Sequence, residues 1–297
     1  MWNAICGLGG GGLMPTTPKS RAIQVILWLL PFVPVTSLAY HYDGLNMYII
    51  AGAIQAELMA VAAWYLGLGA AKRGMSQQRV LASAAALLVA SGAIISLGWN
   101  MGPPPTGDQF LATRLDQQFR YTALLIGALL ALGGLTVLRS SLNQAGDSVW
   151  SSLGHTTMLL STLLFAVVNA ALQIGFEAVR QESSTGREPN WVEPFRNYFV
   201  YLTIFWAVLA YVGTAFYAAS LRKVGWMSNT VAWAIVGASV VAVGLVPFFP
   251  LAPGPLGMPG YVLSIPAVPY FMTYWMGVNL VKRAAEARAA SPAAKAA

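Results

Sequence analysis

The chain has 297 residues, of which 57% are hydrophobic and only 9% charged, and its mean hydropathy is +0.61. Soluble domains carry about 25% charged residues, so this composition excludes a water-soluble globule. The formal net charge is +7. A single cysteine, Cys6, excludes an intrachain disulfide and a thiolate metal cluster.

Apolar runs of roughly 19 to 25 residues recur along the chain, and a helix of that length crosses a hydrocarbon core about 30 Å thick. We therefore predict an all-α integral membrane protein. Charged, glycine-rich and proline-rich interruptions separate eight transmembrane helices, which we predict at about 22–40, 47–69, 80–98, 120–138, 155–176, 196–220, 229–248 and 261–281.

The distribution of lysine and arginine orients the predicted bundle. Most of these residues fall on the side that also holds both termini, while the opposite side carries more acidic than basic residues. By the positive-inside rule both termini are cytoplasmic, and the helices form four hairpins closed on the outer face. The predicted parts are a flexible N-terminal segment, 1–21, one transmembrane domain, 22–283, and a disordered alanine-rich tail, 284–297.

The first predicted helix has an alternative reading. Lys19 and Arg21 precede an apolar run that ends in Ser37-Leu38-Ala39, a pattern of small residues that a signal peptidase accepts. Cleavage there would leave seven helices. The glycine-rich segment before Lys19 is long for a signal sequence, so we favour the uncleaved form.

Glu57 is the one carboxylate that lies deep in a predicted span. An ionised side chain near the bilayer midplane costs several kcal/mol. Ala53 and Ala60 share its helical face and would let another helix approach, so we expect Glu57 to face protein. A buried carboxyl of this kind is suited to acid/base or proton-carrying work. The structural alternative is an interhelical hydrogen bond.

Polar residues also follow one face of the fifth span. Asn169, Gln173, Glu177 and Arg180 rise along it towards the outer surface. Such a track lines a vestibule or receives the polar end of a ligand, but amides also join helices in membranes. We predict Asn169, Gln173 and Glu177 as substrate-binding residues and leave the second reading open.

Two outer landmarks resemble each other. Phe119-Arg120-Tyr121 opens the fourth span and Phe195-Arg196-Asn197-Tyr198 opens the sixth. The similarity indicates an internal repeat of the second and third hairpins, or else ordinary interfacial anchoring by arginine and tyrosine. Arg120 and Arg196 are predicted to bind the polar end of a substrate.

Aromatic side chains inside the spans provide candidate walls for a hydrophobic ligand. Trp64, Tyr270 and Tyr274 are predicted to contribute to substrate binding, although ordinary packing explains such residues equally well. Pro266 and Pro269 interrupt the last span and favour a bend, which can frame a cavity.

No cofactor and no metal site is predicted. His41 and His155 fall at opposite edges of the bilayer, and no lysine lies inside a span. Nucleotide-binding, hydrolase and zinc-protease motifs do not occur in the sequence.

We therefore predict a membrane-embedded enzyme that acts on a lipid-like or isoprenoid substrate, with Glu57 as acid or base. One alternative is a proton-coupled transporter or exporter of a small molecule, and a second is a structural subunit of a membrane complex. The predicted partners are the lipid bilayer, a hydrophobic or amphiphilic molecule and, in the last case, another membrane protein. A nucleic-acid partner is not predicted. The charge bias does not identify the membrane.

Overall fold

The fold is helical throughout the residues described by the computed structural model, which are 18–33, 35–69, 76–102, 113–187, 189–250 and 257–289. We number the helices in chain order. They are α1 Pro18–Leu29, α2 Val35–Ala63, α3 Ser76–Trp99, α4 Arg114–Gln144, α5 Val149–Thr185, α6 Val192–Lys223, α7 Asn229–Leu245, α8 Met258–Ser264 and α9 Ala267–Ala289.

Six of these helices, two of them counted together with the π- or 3₁₀-helical turn that follows, are long and apolar enough to cross a membrane, and they correspond to the predicted spans from 47–69 to 229–248. The chain is thus an integral, multi-pass membrane protein. The first and last predicted spans differ from the other six because proline interrupts them. In the first predicted span, 22–40, α1 ends at Leu29, a turn of 3₁₀-helix covers Leu30–Phe32, and α2 begins at Val35.

Helix α2 itself changes direction at Gly44, where φ is 74° and ψ is −162°. Glycine adopts this conformation without the steric cost that other residues meet. Beyond Ala63 the helix continues as a π-helical turn over Trp64–Leu68. The membrane-spanning part of this helix is Gly44–Leu68.

Small residues let α3 and α4 pack closely. Gly98 lies against Leu124, and further along Gly127 lies against Ile95. The later residue of α3 contacts the earlier residue of α4, and the reverse holds for the other pair, so the two helices are antiparallel. Glycine at such contacts allows close backbone approach in membrane proteins.

Close packing at glycine residues also joins the other central helices. Gly213 of α6 lies against Met158 of α5, and Gly92 of α3 lies against the ring of Tyr274 in α9. Tyr217 in α6 donates a 2.8 Å hydrogen bond to the carbonyl oxygen of Leu135 in α4. The pairs α3–α4 and α5–α6 are thus joined into one bundle.

The last predicted span is divided into two helices. Helix α8 ends at Ser264, and Ile265 is extended, with φ −63° and ψ 128°. Pro266 lacks an N–H and disfavours the helical conformation of the residue before it. The predicted bend is therefore confirmed, as a complete break before α9.

Parts of the two segments predicted to be flexible belong to helices. Residues 18–21 belong to α1 and residues 284–289 belong to α9. The remainder of the two predicted flexible segments, 1–17 and 290–297, lies outside the described residues. Helix α2 also runs through the Ser37-Leu38-Ala39 pattern.

Candidate functional site

A cavity of about 510 Å³ lies at the end of the bundle that the charge distribution assigns to the outer side. Residues of α3, α4, α5 and α6 line the cavity, and so do residues of the broken last span between 261 and 267. Its described lining is mostly aromatic and aliphatic. The polar or aromatic members are Phe32, Trp99, Asn100, Arg120, Tyr121, Phe165, Phe199, Thr203, Trp206, Phe249, Tyr261 and Ser264.

Arg120 brings a positive charge to this lining. It is only 5% exposed and lies two turns into α4, near the end of α3. Its Nη1 donates to the carbonyl oxygen of Gly102 at 2.6 Å and its Nη2 to that of Met101 at 3.2 Å. These carbonyls follow the last turn of α3, so they hold the guanidinium in one place.

A second polar wall residue is held from behind by a buried network. Asn100 donates to Oε1 of Gln55 at 3.5 Å. Gln55 in turn donates to the carbonyl oxygen of Leu30 at 2.9 Å and to the hydroxyl of Ser96 at 3.4 Å. Because buried polar groups that are satisfied resist movement, this network orients the Asn100 amide at the cavity wall.

The inner part of the cavity is built from stacked rings. Trp206 and Tyr270 lie parallel, with their planes 5° apart and their centroids at 6.3 Å. Phe165 packs against both rings. All three side chains are fully buried. Trp206 and Phe165 line the cavity, and Tyr270 supports Trp206 from behind.

The bent last span contributes to the cavity as the sequence predicts. Ser264, Ile265, Pro266 and Ala267, which form the break, line the cavity. Tyr211 of α6 donates a 2.8 Å hydrogen bond to the carbonyl oxygen of Leu263 and so fastens α8 to the wall.

The predicted polar track on α5 does not line the cavity, because Val168 and Leu172 occupy the facing positions. Asn169 is buried and donates to the carbonyl oxygen of Tyr121 at 2.7 Å, which joins α5 to α4. For Asn169, the helix-joining alternative is the one that the structure favours. Gln173 is half-buried.

Further out on the same track, Glu177 is exposed and forms an ion pair with Arg180. Each of the two side chains is more than half exposed, and a surface pair of this kind contributes little to stability. Neither side chain reaches the cavity lining.

Glu57 lies on the exposed side of α2, so no other described helix of the same chain covers it. Trp64, on the same face, is 52% exposed. Neither residue is part of the cavity lining. The buried face of this helix is instead formed by residues such as Tyr48, Gln55 and Met59.

The two resembling landmarks differ in their surroundings. Arg120 is buried in the cavity wall, but Arg196 is exposed at the start of α6. Tyr274 is fully buried and donates to the carbonyl oxygen of Leu27 in α1, so it joins helices. Of the predicted substrate-binding residues, Arg120 lines the cavity, and Tyr270 packs behind Trp206, which also lines it.

Sequence reasoning missed Asn100, Thr203 and Tyr261 as lining residues. The first follows α3 directly, and the third belongs to the short helix before the proline break. For Tyr261 the available signal was its position shortly before Pro266, where the last span is broken.

In the described part of the chain, no group of three or more histidine, cysteine or acidic residues could hold a metal ion. No protein-family model, no curated protein and no solved structure matches this chain.

Proposed function

We propose that this membrane protein binds a lipid-like or isoprenoid amphiphile with an anionic end group. The apolar part of the molecule would lie among the aromatic rings of the cavity, and the anionic group would lie at Arg120. The observation that carries this proposal is an aromatic cavity with a buried arginine in its wall.

The size and lining of the cavity support a ligand of lipid type. Ligand pockets typically span about 300–1,000 Å³ and are mostly apolar with a few placed polar groups. The volume of about 510 Å³ and the rings of Trp99, Phe165 and Trp206 fit this description.

Arg120 supports an anionic end group. A guanidinium carries five N–H donors in a planar fork and matches carboxylate and phosphate oxygens. In a low-dielectric site its charge attracts an anion more strongly than it would in water. The backbone carbonyls of Met101 and Gly102 hold the fork beside the cavity.

The composition of the lining also limits which residues could act as an acid or a base on a bound molecule. Glu57 lies outside the cavity, so catalysis or proton coupling through this residue has no geometric support. Among the described lining residues there is no carboxylate and no histidine. We therefore retain a lipid-like or isoprenoid substrate, for either an enzyme or a transporter. Glu57 is no longer proposed as the acid or base.

Binding to the purified protein in detergent tests the proposal, with farnesyl phosphate as the anionic probe and farnesol as its uncharged counterpart. Trp99 and Trp206 line the cavity, so quenching of tryptophan fluorescence reports occupancy. We expect Arg120→Gln to weaken farnesyl phosphate binding by about 10- to 100-fold, the value of a charge-assisted hydrogen bond, and to change farnesol binding little. Arg196→Gln is the matched control and should bind both probes normally.

Leu172→Trp keeps Arg120 and fills part of the cavity, so it should weaken the binding of both probes. Leu163→Trp is its control, because Leu163 is 56% exposed on the same helix. Thermal unfolding of each variant separates a loss of binding from a loss of fold. Equal affinity of the wild type and folded Leu172→Trp for both probes would contradict the proposal.

A further inference from the structure

The outward face of α2 carries an acidic residue in the middle of a membrane span. Glu57 lies near the centre of Gly44–Leu68, a span of 25 residues. Its side chain is exposed, and no hydrogen bond or ion pair joins it to another residue in the described part of the chain. Ile54, Leu58 and Val61 around it are all about half exposed.

This arrangement is costly if the face meets only lipid tails. A charged side chain at the centre of a transmembrane helix costs about 2.5–3.5 kcal/mol or more, and an unpartnered polar group in hydrocarbon is also unfavourable. The other five apolar helices place no acidic residue near their middle. Glu57 therefore requires a hydrogen-bonding partner at the same depth.

We propose that the α2 face around Glu57 binds the same face of a second copy of this chain, with the two Glu57 carboxyl groups hydrogen-bonded to each other across a two-fold axis. A protonated carboxyl has a donor as well as acceptors, so two protonated carboxyl groups are complementary and place no charge at this depth. A two-fold interface brings identical residues together, as this pairing requires.

The surroundings of Glu57 fit a helix–helix contact. Ala53 and Ala60, one turn before and one turn after it, are both exposed. Small side chains at this spacing let two transmembrane helices approach closely enough for a central hydrogen bond. Lysine and arginine are absent from the middle of the six apolar helices, so the described chain offers Glu57 no basic partner at this depth.

Much of the Gly44–Leu68 surface is also left uncovered by the described part of the same chain. In the most apolar stretch of Gly44–Leu68 only 28% of the residues are buried, compared with 61% in Gln78–Trp99. Glu57 does not line the cavity, so the proposed dimer does not depend on the proposed ligand.

Energy transfer between donor- and acceptor-labelled full-length protein in liposomes measures the dimer, as the protein-to-lipid ratio is lowered. We expect Glu57→Leu to weaken dimerisation about tenfold, the value of one or two interhelical hydrogen bonds. Glu57→Gln should retain the dimer, because an amide also has a donor and an acceptor. Thr136→Val is the control: Thr136 is an exposed polar residue on α4.

Oxidative crosslinking locates the interface. In a Cys6→Ser background, Ala60→Cys should form a covalent dimer in liposomes. Val167→Cys, 47% exposed on α5, should not. The proposal would be overturned if the wild type is a monomer at every protein-to-lipid ratio. The same result is expected if Glu57 binds a different membrane protein and not a second copy. Undiminished dimerisation of Glu57→Leu, or crosslinking through Val167→Cys alone, would overturn it as well.

Discussion

Replacing Asp147 with alanine is expected to lower the free energy of unfolding by about 3 kcal/mol, a value at the low end for breaking a buried ion pair because Lys223 is partly screened by water. Asp147 lies in the connection between α4 and α5 and is completely buried. Its Oδ1 accepts from Nζ of Lys223 at 2.9 Å, and its Oδ2 accepts from the hydroxyl of Ser220 at 2.6 Å and the N–H of Ser151 at 3.1 Å. The variant would leave these donors without their acceptor.

The same carboxylate makes stability depend on pH. Burial raises the pKa of Asp147, but the hydrogen bonds from Ser220, Lys223 and Ser151 outweigh it, so the pKa lies below its ordinary value. A group with a lowered folded-state pKa stabilises the fold above its unfolded pKa, about 3.9 for aspartate. This contribution is lost as the pH falls from there through the lowered pKa.

Thermal unfolding of the wild type and of Asp147→Asn between neutral and acidic pH measures this contribution. The difference between the two unfolding midpoints should be largest at neutral pH and should shrink in acid. Glu177→Gln is the control, because Glu177 is exposed and its ion pair with Arg180 at the surface contributes little to stability. A constant difference between wild type and Asp147→Asn at all pH values would contradict the assignment.

The transmembrane segments were the most predictable part of the fold. Six predicted spans correspond to helices that are long and apolar enough to cross a membrane, because the length and apolar composition of a run determine that property. Helix ends within the proline-containing runs were less predictable. The first helix ended at Leu29, two residues before Pro31, and Pro266 divided the last. Proline predicts an interruption, but tertiary packing decides whether the helix bends or breaks.

The direction in which each helix faces was the least predictable feature. The alanines that flank Glu57 predict a face covered by a helix, but within the described chain Glu57 and these alanines are all exposed. In a membrane, lipid-facing and protein-facing surfaces are both apolar, so periodicity does not separate them as it does in soluble helices. Arg120 and Arg196 occur in similar sequences, yet only Arg120 is buried. The close packing of α3 against α4 makes that difference.

The candidate cavity follows from two local features that act together. The break at Ile265 and Pro266 separates α8 from α9, and both residues line the cavity. The end of α3 then supplies Asn100 and the carbonyls that hold Arg120. The position of α8 therefore controls the shape of the site.

Gly260→Ala is expected to disturb both the fold and the cavity. Gly260 lies in α8 and packs against the end of α7, where a β-carbon would come within 2.4 Å of the carbonyl oxygen of Leu245 and 3.1 Å of the Phe249 nitrogen. These are backbone atoms, so α8 would have to move. Overpacking of this kind costs about 1–3 kcal/mol.

The movement would reach the cavity through the rings of Tyr261 and Phe249, which line it with their centroids 5.3 Å apart. We therefore expect Gly260→Ala to lower the unfolding midpoint and to weaken the binding of both farnesol and farnesyl phosphate, since it changes the apolar wall and leaves Arg120 in place. Gly237→Ala is the matched control, because a β-carbon there meets no atom within 4 Å and alanine favours the helix. If Gly260→Ala unfolds and binds as the wild type does, α8 does not pack against α7 in this way, and the cavity must be closed by another part of the chain.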